Sequence, residues 1–263
     1  MAAVPVNWRE YLIEAWGLGT FMVSAAVMTT LLEHPASPVR QAVPDAFVRR
    51  VWMGLAMGLT AGCLIYSPWG QRSGAHFNPS VTLTFLRLGK VSARDASWYI
   101  AAQFAGGTLG IWVAALLLAP WIASPAVNYV ATLPGPGGEM VAFAAEAGIS
   151  FLLMIVVLTV SNAPALSRYT GVAAGLLVAA FIAVEAPLSG MSMNPARTLG
   201  PDVVGQITHG LWLYFAAPPL GMLAASEAYR RLPGLRAVHC AKLHHGRGRC
   251  VFNCGFDRIG HTS

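Results

Sequence analysis

Ser189-Gly190-Met191-Ser192-Met193-Asn194-Pro195-Ala196-Arg197-Thr198-Leu199 has a twin earlier in the chain, Ser73-Gly74-Ala75-His76-Phe77-Asn78-Pro79-Ser80-Val81-Thr82-Leu83. Ser, Gly, Asn, Pro, Thr and Leu recur at the same six of eleven places. In each copy a Ser-Gly turn leads to Asn and Pro, then to small and apolar residues. That order marks a helix start, with Asn as N-cap and Pro in the first turn, where its missing N–H costs nothing. Such a start leaves unpaired N–H groups and a partial positive charge of about half a unit. Two that meet inside a membrane make the expected centre of a pore.

The surrounding chain is built for lipid. Hydrophobic residues make up 56% of 263 positions, charged residues 11%, and the mean hydropathy is +0.57. At about 1.5 Å of rise per residue, six apolar stretches have spanning length. They lie near 11–32, 47–67, 97–119, 139–161, 169–187 and 208–228. The Asn-Pro stretches fall between spans two and three and between spans five and six, too short and too broken to cross. The first span is expected to be a mature helix rather than a secretory leader: Arg9 is offset by Glu10, Glu14 sits inside the run, and the run is long for that role.

Charge sets an expected orientation. The segment 68–96 carries Arg72, Arg87, Lys90 and Arg94, whereas 120–138 carries no Lys or Arg. Six spans then place both termini in the cytoplasm of a multi-pass plasma or inner membrane protein. Arg40, Arg49 and Arg50, between spans one and two, run against that count. After residue 228, Arg230, Arg231, Arg236, Lys242, Arg247, Arg249 and Arg258 less Asp257 give +6, the whole formal net charge. The basic balance therefore belongs to one tail, expected to be solvated and near lipid, and is no argument for nucleic-acid binding.

The chain also repeats. Glu14-Ala15-Trp16-Gly17 opens one half and Glu146-Ala147-Gly148 the other, each leading through a Gly-rich span into its Asn-Pro stretch. Three spans per half is odd, so the second half is inserted upside down. Inverted repeats bring equivalent broken segments to the midplane from opposite faces. The expected architecture is an all-α membrane protein with six transmembrane helices and two re-entrant half-helices. Residues 1–10 form an N-terminal stretch, 11–228 the channel domain with halves of about 11–119 and 139–228, and 229–263 the tail.

The paired boxes, the Ser-Gly-Ala-His lead-in at 73–76, Arg197 directly after the second box and a membrane Glu opening each half resemble the aquaporin, or major intrinsic protein, family over roughly residues 10–228. The first box departs from the family pattern, with Ser80 where Ala is usual. The resemblance implies a passive pore in each protomer of a homotetramer, passing water and small uncharged solutes such as glycerol, ammonia or neutral metalloid acids, excluding protons and ions, and requiring no cofactor. It implies a pore centre at Asn78, Pro79, Ser80, Asn194, Pro195 and Ala196, and lining loops supported by Glu14, Glu146 and His76. Aligned through the boxes, it places a selectivity filter at Met57, Ile182, Met191 and Arg197. Strict water channels of the family resemble a His and an aromatic where Ile182 and Met57 stand, which favours an additional solute here. Thr198, and Tyr214-Phe215 in span six, lean toward a water-only channel.

Several features stay outside that resemblance. Gly54, Gly58 and Gly62, then Gly106 and Gly110, then Gly171 and Gly175 allow close helix approach, within or between protomers. Trp98, Tyr99, Trp121 and Trp212 read as interfacial anchors. The breaker-rich 120–138 segment reads as an external connector. Glu185 reads either as a vestibule residue or as an exposed helix end, and Cys63 as a buried thiol. Cys240, His244, Cys250 and Cys254 match a structural zinc site in ligand type, in a tail otherwise read as disordered and remote from the pore. A secondary transporter shares inverted repeats but needs a coupling-ion site near the midplane. A membrane enzyme has only His76 beside Ser80, with no third group.

Overall fold

The structure, a computed structural model, describes residues 6–232, 237–245 and 250–256. In chain order the helices are α1 Trp8–Glu33, α2 Pro38–Ala42, α3 Ala46–Tyr66, α4 Pro68–Ser73, α5 Pro79–Arg87, α6 Ala93–Leu118, α7 Glu139–Ser161, α8 Thr170–Val184, α9 Ala186–Ser189, α10 Pro195–Gly205 and α11 Leu211–Arg231. No strand occurs among the described residues. Five of the long helices, α1, α3, α6, α7 and α8 with its preceding turn, are long and apolar enough to cross a membrane. The sixth, α11, has 21 residues but carries Pro218 and Pro219 inside and Arg230 and Arg231 in its last turn.

Polarity is turned inside out relative to a water-soluble fold. Leu55, Leu59, Leu109, Leu116 and Leu117 face outward, while Glu14, Ser73, Gln103 and Glu146 are fully buried. This suits lipid outside and a hydrogen-bonded interior. Cys63 is exposed on this outer face, so it is not the buried thiol that its apolar helix suggested.

Packing follows the repeat. α1 lies against α6 and, equivalently, α7 against α11, while α3 and α8 meet across the two halves. The half-helix α10 packs on α6 and its twin α5 on α11, so each is seated on the third span of the other half. Close approach needs residues without Cβ: on Gly58 it would run into the Gly175 carbonyl oxygen, and on Gly106 into that of Ala15. These glycines therefore serve contacts inside one protomer.

Two departures from the sequence reading bear on the site. The 120–138 connector folds back into the end of the molecule away from the termini, with Ile122, Val127, Val130 and Thr132 buried, and Gly135 N donates to Leu188 O at 2.9 Å. The tail is not remote: Cys240, Ala241, Lys242, Leu243 and Phe252 are buried against the mouth on the side of the termini.

Candidate functional site

Asn78 and Asn194 each satisfy their own helix and the opposite half together. Asn78 Oδ1 accepts from Ser80 N at 2.8 Å, and Asn194 Oδ1 from Ala196 N at 3.0 Å and Arg197 N at 3.2 Å. Pro79 and Pro195 open the two helices. Across the centre, Asn78 Nδ2 donates to Met193 O at 2.7 Å and Asn194 Nδ2 to Phe77 O at 2.8 Å. Each amide keeps one further N–H beyond that bond. Ala196 and Ser80 are fully buried behind the caps.

The loops leading into the caps are held in an uncommon backbone. Gly74 at φ 96° and Gly190 at φ 78° end α4 and α9, then Ala75, Phe77, Met191 and Met193 take φ of 56°, 47°, 55° and 54°. Backbone in this left-handed region costs about 1–3 kcal/mol for each non-glycine held there. Glu14 supplies the restraint in the first half. Its Oε1 accepts from Ser73 Oγ at 2.7 Å and His76 N at 3.2 Å, and its Oε2 from Phe77 N at 2.6 Å and Gln103 Nε2 at 2.8 Å. Glu146 does the same in the second, accepting from Ser189 Oγ at 2.8 Å, Ser192 N at 2.6 Å and Met193 N at 2.7 Å.

Several supporting residues were not legible as such. Tyr99 Oη donates to Ser73 O at 2.7 Å, and Tyr214 Oη to Ser189 O at 2.6 Å. Tyr99 is thus no interfacial anchor; Trp98, Trp121 and Trp212 stay exposed as that role requires. The hint was the recurrence of a Tyr 26 residues after Ser73 and 25 after Ser189. Gln103 and Thr132 carried no signal in the sequence. Thr132, from the inserted connector, accepts from Arg197 Nη1. Glu185 is buried and not an exposed helix end.

These elements surround a cavity of about 400 Å³. It runs from Glu33 and Arg50 on the far side, past Asn194 and Asn78, to Leu243 on the side of the termini. Met57, Ile182, Met191 and Arg197 all line it. His76 also lines it, and its ring is bonded at both nitrogens: Nδ1 pairs with Thr82 Oγ1 at 3.0 Å, and Nε2 donates to Ala241 O at 2.9 Å in the tail.

The tail's side chains gather into one cluster, with a correction. Ligand atoms of Cys240, His245, Cys250 and Cys254 all lie within 4.8 Å of one another. His245, not His244, is the histidine of this group. The His244 ring is turned away edge-on to Tyr66, 5.0 Å between centroids, whereas His245 stacks on Phe256 at 4.6 Å and brings Nε2 to 3.1 Å from Cys254 Sγ. The Cys240 sulfur beside it, 3.5 Å away, holds the Cys250 thiol below the usual thiol range.

The model of the family described as "Major intrinsic protein" matches residues 2–229. Among curated proteins, a "Probable aquaporin NIP-type" from Nicotiana alata is 38% identical over 174 residues, 65% of this chain and 62% of that protein. "Aquaporin NIP2-3" from Zea mays is 32% identical over 231 residues, 86% of this chain and 73% of that protein. The match spans less than two thirds of the length of the Nicotiana protein, and 64% of that of "Aquaporin NIP1-2" from Arabidopsis thaliana. Among solved structures, that of the aquaglyceroporin from Plasmodium falciparum superposes with a TM-score of 0.73 at 20% identity, covering 86% of this chain and 97% of that one. A family match over nearly the whole membrane region, on a fold with two Asn-capped half-helices joined at its centre, places this chain in the major intrinsic protein family.

Proposed function

We propose that the chain is a passive transmembrane channel for water and other small uncharged solutes, glycerol, ammonia or a neutral metalloid acid among them, and that it excludes protons and ions. The observation that carries this reading is the reciprocal bonding of Asn78 and Asn194 at one point of a cavity reached from opposite faces. Two helix N-termini and Arg197 direct positive potential at that point, which opposes cations, while carbonyls and amide N–H groups offer a neutral solute partners. A carrier would need a coupling-ion site near the midplane, and Glu14 and Glu146, the buried acids behind the two lining loops, are spent on restraining those loops.

In this reading Asn78, Pro79, Ser80, Asn194, Pro195 and Ala196 form the pore centre, and Met57, Ile182, Met191 and Arg197 the constriction. A Met and an Ile supply no donor, so a solute with a carbon face loses less on entering than in a pore lined by His, and Met side chains move aside. Four protomers assemble, with both termini in the cytoplasm. The cations that oppose this orientation are occupied. Arg49 Nε bonds Glu33 at 3.0 Å, Arg40 pairs with Glu33 at 3.5 Å, and Arg50 Nε donates to Ala183 O at 3.3 Å.

Swelling of proteoliposomes in a panel of neutral solutes, with chelator and reductant present, tests the selectivity. The expected result is water flux accompanied by glycerol, ammonia or a metalloid acid, with Ile182→His plus Met57→Phe suppressing the solute more than water. A wild-type pore that excludes every solute on the panel would overturn the filter reading in favour of a water-only channel.

A further inference from the structure

The cavity ends, on the side of the termini, on a side chain from outside the six spans, Leu243. Leu243 N donates to Gly74 O at 3.1 Å, taking a carbonyl of the lining loop as its acceptor. The same segment is tied around the mouth to separate elements. His239 N donates to Asn162 Oδ1 at 2.6 Å just beyond α7, Ala241 O accepts from His76, and Asn253 N and Nδ2 donate to Lys90 O at 3.0 Å and Gly89 O at 2.8 Å beyond α5. Phe252 stacks on the His76 ring, 5.4 Å between centroids and 5° from parallel. Residues 237–245 and 250–256 therefore lie across the mouth.

What shapes this segment is the cluster described above. Described stretches of nine and seven residues with no extended helix or strand are too short for a core of their own. The four donors they bring together are three sulfurs and one imidazole nitrogen, a soft set suited to zinc and without the oxygens that calcium or magnesium requires. In a tetrahedral site with Zn–S of about 2.3 Å and Zn–N of about 2.0–2.1 Å, the donors stand roughly 3.5–3.8 Å apart. Cys240 and Cys250 Sγ at 3.5 Å match such an edge, and His245 Nε2 and Cys254 Sγ at 3.1 Å are somewhat closer. The sulfurs are far from the S–S distance of about 2.05 Å in a disulfide.

We propose that Cys240, His245, Cys250 and Cys254 bind a zinc ion, and that this ion fastens the segment over the inner mouth as a removable closure of the pore. The closure rests on the channel reading; the metal site stands without it. Binding free energy of a metal in so small a unit is the free energy of folding it. Removal of the ion frees Leu243 from Gly74 O and opens the cavity. This replaces the expectation that the tail is remote from the pore.

The test uses the full chain purified on a tag without histidine, beside Cys250→Ser/Cys254→Ser. Metal analysis is expected to find about one zinc per wild-type chain and little in the variant. In proteoliposomes with zinc present, wild type is expected to shrink slowly and to speed up several-fold on chelation, while the variant is fast in both conditions. Wild type without zinc, or with thiols that alkylate only after reduction, would overturn the metal site, the second result in favour of a disulfide. Zinc bound by wild type with flux unaltered by chelation would overturn the closure. Flux in no arm, the variant included, would overturn the channel reading and the closure with it, while zinc held by wild type and lost from the variant would still carry the site.

Discussion

Asn rather than Asp caps each half-helix because one side chain must accept and donate at once. Oδ1 of Asn78 takes the N–H of Ser80 while Nδ2 reaches Met193 O, and Asn194 repeats this toward Phe77 O. Asn78→Asp or Asn194→Asp sets a carboxylate against a carbonyl where the two half-helix N-termini meet. Flux should fall sharply or cations should enter; an osmotic assay paired with a cation-leak assay showing neither in both variants would remove these residues from the pore centre. Arg197→Val deletes the charge and the bond to Thr132, so water flux should persist while proton and ion exclusion weakens, as a pH-sensitive dye trapped in vesicles would report. Glu146→Gln replaces one acceptor oxygen with a donor, which then faces the N–H of either Ser192 or Met193. A buried polar group left unmatched costs about 1–3 kcal/mol. The expected outcome is a lower melting midpoint in detergent together with reduced flux.

At the scale of elements, the helices were legible where the information is local. Apolar runs of spanning length gave the long helices, and the order Asn-Pro gave the start of α5 and α10. Glu14 and Glu146 were legible as a repeated pair, though their hydrogen-bond partners lie 43 to 63 residues away within their own halves, and 89 away for Gln103. What escaped was contact made by residues with no pattern of their own. Gln103 and Thr132 act only through what the fold sets beside them, and Tyr99 near a span end is indistinguishable by position from an interfacial ring. The tail escaped for the same reason, since its attachments to Gly74, Gly89 and Lys90 run to main-chain carbonyls, which every residue possesses. The glycines separate by what faces them. Gly106→Leu meets the Ala15 main chain, whereas nothing lies within 4 Å of a Cβ on Gly148. Overpacking costs about 1–3 kcal/mol or more. Gly106→Leu should therefore lower the thermal aggregation midpoint and the folded yield, and Gly148→Ala should leave both near wild type.

At the scale of the whole molecule, two halves related by an inverted repeat each deliver a strained loop, a carboxylate that restrains it and a capped half-helix to one cavity, and the halves are bonded to each other there. Fixed hydrogen bonds at the centre suit the passive channel proposed above, in which the solute crosses without the centre rearranging, as it would in a carrier. The most direct measurement is stopped-flow shrinkage of proteoliposomes, with chelator and reductant present, as a function of gradient and temperature. The account predicts rates well above those of empty vesicles, linear in the gradient without saturation, with a low activation energy and no proton leak. Rates equal to empty vesicles, or a flux that saturates and is steeply temperature-dependent, would contradict it.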